Sequence, residues 1–179
     1  SQASMHRIKE VLDEKSKIVD DYVVDDIPVT NGSIEFKDVT FSYLEDGSNP
    51  VLQNVNLSIK SGETIGIIGA TGASKSTLVQ LISRLYDVTQ GEVIVGGNNV
   101  KDYKLKTLRD NVAVVLQKNV LFSGSIKENL KWCNKDAIDE QIIDASKKAQ
   151  AHGFITNFPD GYEPDLGQGG VNVSGGQNT

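Results

Sequence analysis

The pattern of apolar and polar residues predicts an N-terminal helix, then a linker, then a mixed α/β domain. Apolar residues recur at three- and four-residue spacing from Ala3 to Lys15, which is typical of a short amphipathic helix. This helix would either cap its own domain or pack against a partner surface. The acidic stretch from Asp20 to Asn31 has little periodicity, so it predicts a linker, and we expect the compact domain to start near Ser33.

Alternating residues after the linker predict an antiparallel hairpin. The segments 34–43 and 51–59 both alternate apolar with polar residues, and the turn-forming sequence E-D-G-S-N-P separates them. A short β-branched run, Thr64 to Ile68, then predicts a strand, and Ser76 to Tyr86 has the spacing of a helix. This strand, loop and helix order is typical of the start of an α/β core.

The second half of the chain predicts further strands and helices around that core. Val112 to Leu116 is a continuous apolar run, which is typical of a strand buried on both faces. The other predicted elements are a strand at 91–95, helices at 105–110, 125–131 and 136–150, and a glycine-rich loop at 159–176.

Charge and cysteine content exclude several classes of function. The formal net charge is −6 and no basic block is present, which argues against a nucleic-acid partner because phosphates need a cationic face. Cys133 is the sole cysteine, so an internal disulfide and a zinc cluster are excluded and a reducing setting is favoured. No apolar run approaches the ~20 residues that cross a bilayer. We therefore expect any membrane-spanning part to lie outside this sequence.

A phosphate-binding loop is the strongest motif in the sequence. Residues 69–77 read G-A-T-G-A-S-K-S-T, close to the pattern Gly, four residues, Gly, Lys, Ser or Thr. Glycines let backbone N–H groups surround phosphate oxygens, while the lysine supplies a positive charge and the following hydroxyl can ligate Mg²⁺. The residues expected to bind nucleotide are Gly69, Ala70, Thr71, Gly72, Ala73, Ser74, Lys75, Ser76 and Thr77.

One residue of this loop departs from the pattern. Ser74 replaces the second glycine, directly before the lysine. A serine has a Cβ atom and favours negative φ, whereas a glycine permits close approach of the backbone to phosphate. We therefore expect Ser74 to weaken or distort nucleotide binding without abolishing the fold.

A second motif near the end of the chain narrows the class of nucleotide-binding protein that the loop indicates. V-N-V-S-G-G-Q at 171–177 resembles the signature sequence of ABC ATPases, usually Leu-Ser-Gly-Gly-Gln, and the resemblance extends from Ile34 onward. It implies an α/β P-loop NTPase fold with an antiparallel β subdomain and a helical subdomain, the C-terminal part of the core being missing. Residues 1–32 would be a connector helix and linker from a preceding transmembrane domain, and residues 33–179 a partial nucleotide-binding domain.

The resemblance also implies the roles of individual residues. Tyr43 would stack on adenine, and Gln117 would reach Mg²⁺ and the attacking water. The candidate catalytic residues are therefore Gln117 and the lysine of the loop, Lys75. The candidate metal ligands are Ser76 and Gln117. ATP and Mg²⁺ are thus the implied cofactors. The signature would clamp the γ-phosphate of ATP held by a second ABC ATPase domain in a head-to-tail dimer, through Ser174, Gly175, Gly176 and Gln177.

The resemblance favours an exporter over other members of the family. The N-terminal helix and the sequence K-N-V-L-F-S-G-S-I-K-E-N-L look like exporter features, and E-P-D-L-G-Q-G-G at 163–170 resembles the segment that touches transmembrane coupling helices, a solvated loop being the alternative. The implied protein is a motor that hydrolyses ATP at the cytoplasmic face of a membrane, with transmembrane domains as partners. No residue pattern identifies the substrate.

Two other readings of the same motifs remain open. The chain could be the regulatory, ATP-binding half of a heterodimeric exporter that hydrolyses little ATP. It could also be a soluble ABC ATPase of DNA repair or translation, which its acidity and connector helix disfavour. The family's Asp-Glu pair and switch histidine have no convincing equivalent in the printed sequence, so we expect this fragment alone to be catalytically incomplete.

Overall fold

The computed structural model describes residues 2–116 and 121–166, with side chains from Met5 onward. The chain divides into two compact units, residues 1–113 and 114–179, which are described separately below. Among the described residues, no helix has the length and apolar character needed to span a membrane.

The first unit contains an antiparallel sheet with helices beside it. The helices are α1 (Gln2–Asp13), α2 (Lys75–Ile82) and α3 (Leu105–Asp110), and a 3-10 turn spans Val100–Asp102. The strands are β1 (Ile34–Phe41), β2 (Leu52–Ile59), β3 (Gln90–Val95) and β4 (Asn98–Asn99), and their order in the sheet is β2-β1-β3-β4. This sheet confirms the predicted hairpin.

The core of the first unit lies between the sheet and α2 and α3. Phe36, Val39 and Phe41 of β1 are almost fully buried and pack with Leu81 of α2 and Leu108 of α3. Burial of apolar side chains on this scale is the main force that holds a sheet and its helices together. The N-terminus of α2 follows the phosphate loop.

A glycine lets β1 and β3 approach each other at an irregular point of the sheet. Gly91 has φ of 76°, and a Cβ atom there would lie 2.3 Å from the carbonyl oxygen of Lys37. The register between the two strands shifts just after Lys37. Any other residue at position 91 would therefore both clash with the neighbouring strand and adopt a disfavoured backbone conformation.

The acidic segment before the sheet forms no helix or strand, yet it packs on the first unit. The Asp20 carboxylate accepts a 2.7 Å hydrogen bond from the backbone N–H of Leu105, at the start of α3. Val23 is buried, and Ile27 and Val29 pack against the core. The segment therefore has the irregular backbone of a linker, but its contacts with α3 and the core hold it against the first unit. The predicted domain boundary near Ser33 stays a prediction.

Two predicted strands are absent from the described structure. Thr64 to Ile68 and Val112 to Leu116 have no strand pairing, and Ile68 and Val115 are 99% and 75% exposed. A strand with apolar residues on both faces needs hydrogen-bonded neighbours and covering layers, and no described strand pairs with either segment. The prediction of regular strands here is wrong, because it rested on composition without those neighbours.

Helix α2 is also shorter than its apolar spacing predicts. It ends at Ile82 rather than near Tyr86, because Ser83 caps it and Arg84 adopts a left-handed φ of 50°. The chain then turns, and two hydrogen bonds from the guanidinium of Arg109 to the carbonyls of Ser83 and Arg84 fix the turn. Tyr86 is therefore presented from a turn and not from the helix.

The second unit is mainly helical within the described residues. Its helices are α4 (Ile126–Leu130), α5 (Asp139–Lys148) and α6 (His152–Ile155), a 3-10 turn spans Lys131–Cys133, and β5 (Gly124–Ser125) pairs with β6 (Asp165–Leu166). Ile126, Ile155 and Leu166 form a small buried cluster. The strand at 165–166 interrupts what was predicted as a continuous loop.

Candidate functional site

The phosphate loop lies between residue 69 and the start of α2, and two left-handed residues shape it. Gly72 has φ of 84°, and Ser74 has φ of 55° with ψ of 23°. The left-handed region is open to glycine but disfavoured for serine by roughly 1–2 kcal/mol, because the Cβ atom approaches the carbonyl oxygen. The position that departs from the sequence pattern therefore also carries backbone strain.

The side chain of Lys75 folds back onto the backbone of the loop. The Lys75 ammonium group donates to the carbonyl oxygens of Gly69 and Ala70, both at 2.8 Å. Among the salt bridges of the described residues none involves Lys75, so the protein groups that face its charge there are these two carbonyl dipoles. A cation held by neutral carbonyls is electrostatically available to an anion that enters the loop.

The first turn of α2 follows directly. Its unpaired backbone N–H groups and its helix dipole favour negative charge at this end. The Ser74 side chain makes no capping hydrogen bond to these N–H groups, so it does not compete with a ligand for them. Ser76 is exposed and Thr77 is buried, so only the first of the two hydroxyl groups is open to solvent.

An aromatic residue from the end of β1 reaches this helix. The hydroxyl groups of Tyr43 and Thr77 share a 2.8 Å hydrogen bond, although the two residues are 34 positions apart in sequence. The Tyr43 side chain is 52% exposed, whereas Phe41, two residues earlier, is buried. The structure thus brings together the predicted adenine-stacking residue and the predicted phosphate loop.

A cleft of about 580 Å³ lies beside Tyr43 within the first unit. It is lined by residues from three segments: Ser16, Lys17, Ile18, Phe41, Ser42, Tyr43, Leu44, Glu45, Leu85, Tyr86, Asp87 and Thr89. Lys17 and Glu45 form an ion pair at this cleft. Its volume falls within the range typical of small-molecule sites, and an exposed aromatic ring suits a base. Its lining includes no residue of 69–77, and the loop adjoins the cleft through the hydrogen bond between Tyr43 and Thr77.

The sequence analysis did not single out Tyr86, which lines the same cleft. Its only sequence signal is an aromatic residue nine positions after Thr77, which was assigned to the apolar face of a helix. Arg84 and Asp87 flank it and form a hydrogen-bonded ion pair, 2.8 Å from Nε to Oδ1. Burial lowers the pKa of Arg84, but the hydrogen bond and the charge of Asp87 outweigh that effect and raise it overall.

Other predicted site residues lie outside the described part of the chain. These are Gln117 and the signature residues Ser174, Gly175, Gly176 and Gln177. Of the two predicted metal ligands, Ser76 is therefore the one within the described residues, and it is an exposed oxygen donor next to Lys75. That fits Mg²⁺ in nucleotide sites, where phosphate oxygens and waters supply most of the ligands. Within residues 2–116 and 121–166, no group of three His, Cys, Asp or Glu side chains could hold a metal ion.

Comparison with known protein families agrees with this geometry. The family model described as ABC transporter matches residues 52–179, which include the loop, α2 and the whole second unit. The chain belongs to the ABC transporter family. The P-loop NTPase fold that the sequence predicted, with its antiparallel β part and its helical part, is thereby confirmed.

Individual ABC transporters resemble the chain closely. Proteins named as multidrug export ATP-binding/permease proteins in Staphylococcus aureus strains NCTC 8325 and COL are each 42% identical over 168 residues, which is 94% of this chain and 29% of each relative. The solved structure of a bacterial Atm1-family ABC exporter with ATP bound matches with a TM-score of 0.89 and 27% identity, over 99% of this chain and 31% of that one. The chain thus spans about three tenths of these ABC transporters.

Proposed function

We propose that the chain is the ATP-binding part of a motor that drives export across a membrane. The observation that supports this most directly is the contact between Tyr43 and Thr77, which joins an exposed aromatic ring to an anion-binding loop. The relatives are exporters by name and are about three times as long as this chain. Their transmembrane domains are the partners that we propose for it, at the cytoplasmic face of the membrane.

The residues of the site divide the work of holding ATP. We expect Tyr43 to stack on the adenine ring, while the backbone N–H groups of the loop and of the first turn of α2 surround the phosphates. Lys75 would exchange the carbonyls of Gly69 and Ala70 for phosphate oxygens and so stabilise negative charge on them. Ser76 and Gln117 would together hold Mg²⁺, which neutralises phosphate charge when bound.

Hydrolysis in such a motor needs groups from two copies of the domain. We propose that the signature residues of one domain clamp ATP bound to the loop of a second, in a head-to-tail dimer that closes on ATP and reopens after in-line attack by water. Gln117 would orient that water. Since the printed sequence offers no convincing general base, we propose that this chain alone binds ATP but does not turn it over.

One observation favours a second function, that of a regulatory half which binds ATP and hydrolyses little of it. Ser74 holds a left-handed conformation in the part of the loop that approaches phosphate. Strain at the residue before Lys75 would disturb the placement of the phosphates, and this supports a half that hydrolyses little ATP. A transport motor remains the main proposal, because the rest of the loop retains its pattern.

The exposed face of α1 supports a connection to the membrane part. Its apolar residues Met5, Ile8, Val11 and Leu12 are all exposed, in the spacing of one helical stripe. An uncovered stripe of this kind on a helix before the ATPase suits packing against another part of a longer exporter.

Calorimetric titration of the chain with ATP and Mg²⁺ tests the proposed function. We expect saturable binding of ATP, and we expect Lys75→Met to weaken it more than tenfold, because a charged hydrogen bond to phosphate contributes roughly 1.5–3 kcal/mol. Lys60→Met, at an exposed lysine outside the loop, is the matched control and should bind as the unchanged chain does. Equal affinities of all three proteins would refute the proposal.

A further inference from the structure

Three aromatic rings meet where β1 ends. The ring of Tyr43 contacts Phe41 at a centroid distance of 4.9 Å and Tyr86 at 5.2 Å, with interplanar angles of 79° and 89°. Phe41 and Tyr86 also contact each other, at 5.5 Å. Edge-to-face contacts at such distances are directional, because the positive edge of one ring meets the negative face of another.

Tyr43 needs such contacts because solvent surrounds half of it. Its hydroxyl is held by Thr77 and its ring by Phe41 and Tyr86. Phe41 is buried and supports the ring from the core, whereas Tyr86 is 39% exposed and lies in the wall of the cleft. Without Tyr86 the ring would be restrained from the core side and at its tip, but not along the cleft.

Tyr86 is itself well anchored. It lies between Arg84 and Asp87, whose side chains form two hydrogen bonds of 2.8 and 3.2 Å, and Arg109 fixes the carbonyl of Arg84 at 2.8 Å. Among the hydrogen bonds of the described residues, none involves the Tyr86 hydroxyl. The aromatic ring, and not its polar group, therefore makes the contact with Tyr43.

We propose that Tyr86 is a positioning residue that holds the ring of Tyr43 in the orientation required to stack on the base of a bound nucleotide. This proposal rests on the proposed function, because it assumes that Tyr43 binds the base. Tyr86 acts through Tyr43 and affects recognition of the base, while the phosphate loop binds the phosphates independently.

Titrations of the chain with ATP and with inorganic tripolyphosphate, which lacks a base, test the proposal. We expect Tyr86→Leu to weaken ATP binding by about two- to twelvefold, which corresponds to one lost edge-to-face pair, and to leave tripolyphosphate binding unchanged. Tyr86→Phe keeps the ring and should bind ATP as tightly as the unchanged chain. In a Tyr43→Ala background, Tyr86→Leu should have no further effect on ATP affinity.

Each other outcome overturns the proposal in a distinguishable way. Equal losses of ATP and tripolyphosphate affinity in Tyr86→Leu would mean that Tyr86 only supports the fold. A loss that persists in the Tyr43→Ala background would mean that it acts without Tyr43, and no loss in Tyr86→Leu would mean that it has no role in binding. If the unchanged chain binds neither ligand, the proposed function fails first and this proposal fails with it.

Discussion

The strained residue of the phosphate loop gives the sharpest prediction. Ser74 holds φ of 55°, and replacing it with glycine removes the Cβ atom that makes this conformation unfavourable. Relief of roughly 1–2 kcal/mol is partly offset by the roughly 0.5–1 kcal/mol that a glycine loses in conformational freedom on folding. We therefore expect Ser74→Gly to stabilise the chain by about 0.5–1 kcal/mol.

The same strain affects ligand affinity if ATP requires the left-handed conformation. An energy difference of about 1 kcal/mol against the left-handed conformer leaves it populated at roughly one part in six, and the apparent affinity falls to about that fraction of its intrinsic value. Ser74→Gly should then bind ATP about three- to sixfold more tightly. Urea denaturation measures the stability and calorimetry with ATP and Mg²⁺ measures the affinity.

A second non-glycine residue with positive φ provides the control. Asn54 on β2 has φ of 46°, is exposed, and makes its hydrogen bonds with Thr40 and Asn56, not with the loop. Asn54→Gly should shift stability slightly, because asparagine tolerates this region better than serine, and should leave ATP affinity unchanged. Equal ATP affinities for the unchanged chain and Ser74→Gly would refute the coupling between strain and binding.

Three further predictions concern other parts of the chain. Asp20→Ala should lower the free energy of unfolding in urea by about 0.5–2 kcal/mol, because it removes a cap from α3. The control variant Asp21→Ala, at the exposed neighbouring residue, should change this free energy little. The hydrogen bond from Lys127 lowers the pKa of Asp139 and Asp139 raises that of Lys127, so the pair stabilises the fold between about pH 4 and pH 10, and its contribution disappears as pH falls through the pKa of Asp139 or rises through that of Lys127. An NMR titration of Lys127→Met should show the pKa of Asp139 raised toward its ordinary value of 3.8, and a pKa equal to that in the unchanged chain would contradict this. Gln150→Gly should raise the free energy of unfolding in urea by about 0.5–1 kcal/mol, because Gln150 follows α5 with φ of 59°, where glycine is preferred.

Features set by local pattern could be predicted from the sequence. The β1–β2 hairpin follows from alternation, and the loop before α2 follows from the order of Gly69, Gly72 and Lys75. The left-handed conformation of Ser74 fits the expectation that glycine is favoured there. The contact of Tyr43 with the loop depended on the family resemblance, because an aromatic residue at a strand end is more often part of a core.

Features set by distant partners could not be predicted from the sequence. Asp20 caps a helix 85 residues later, and no periodicity in an acidic stretch signals such a pairing. Thr64 to Ile68 has the composition of a strand, but a strand forms only where a neighbour accepts its hydrogen bonds. Tyr86 was assigned to a helical face, and its proximity to Tyr43 became visible only once α2 was seen to end at Ile82.

The attachment of Asp20 to α3 sets the length of the chain that joins the N-terminal helix α1 to the domain. If the chain were free until Ser33, about twenty residues would separate it from Asp13, a reach of up to roughly 70 Å. With Asp20 fixed, six residues, 14–19, separate α1 from this attachment, and their reach is at most roughly 20 Å. A displacement of α1 beyond that distance must first break the hydrogen bond between Asp20 and Leu105, so large movements of the helix are coupled to the start of α3.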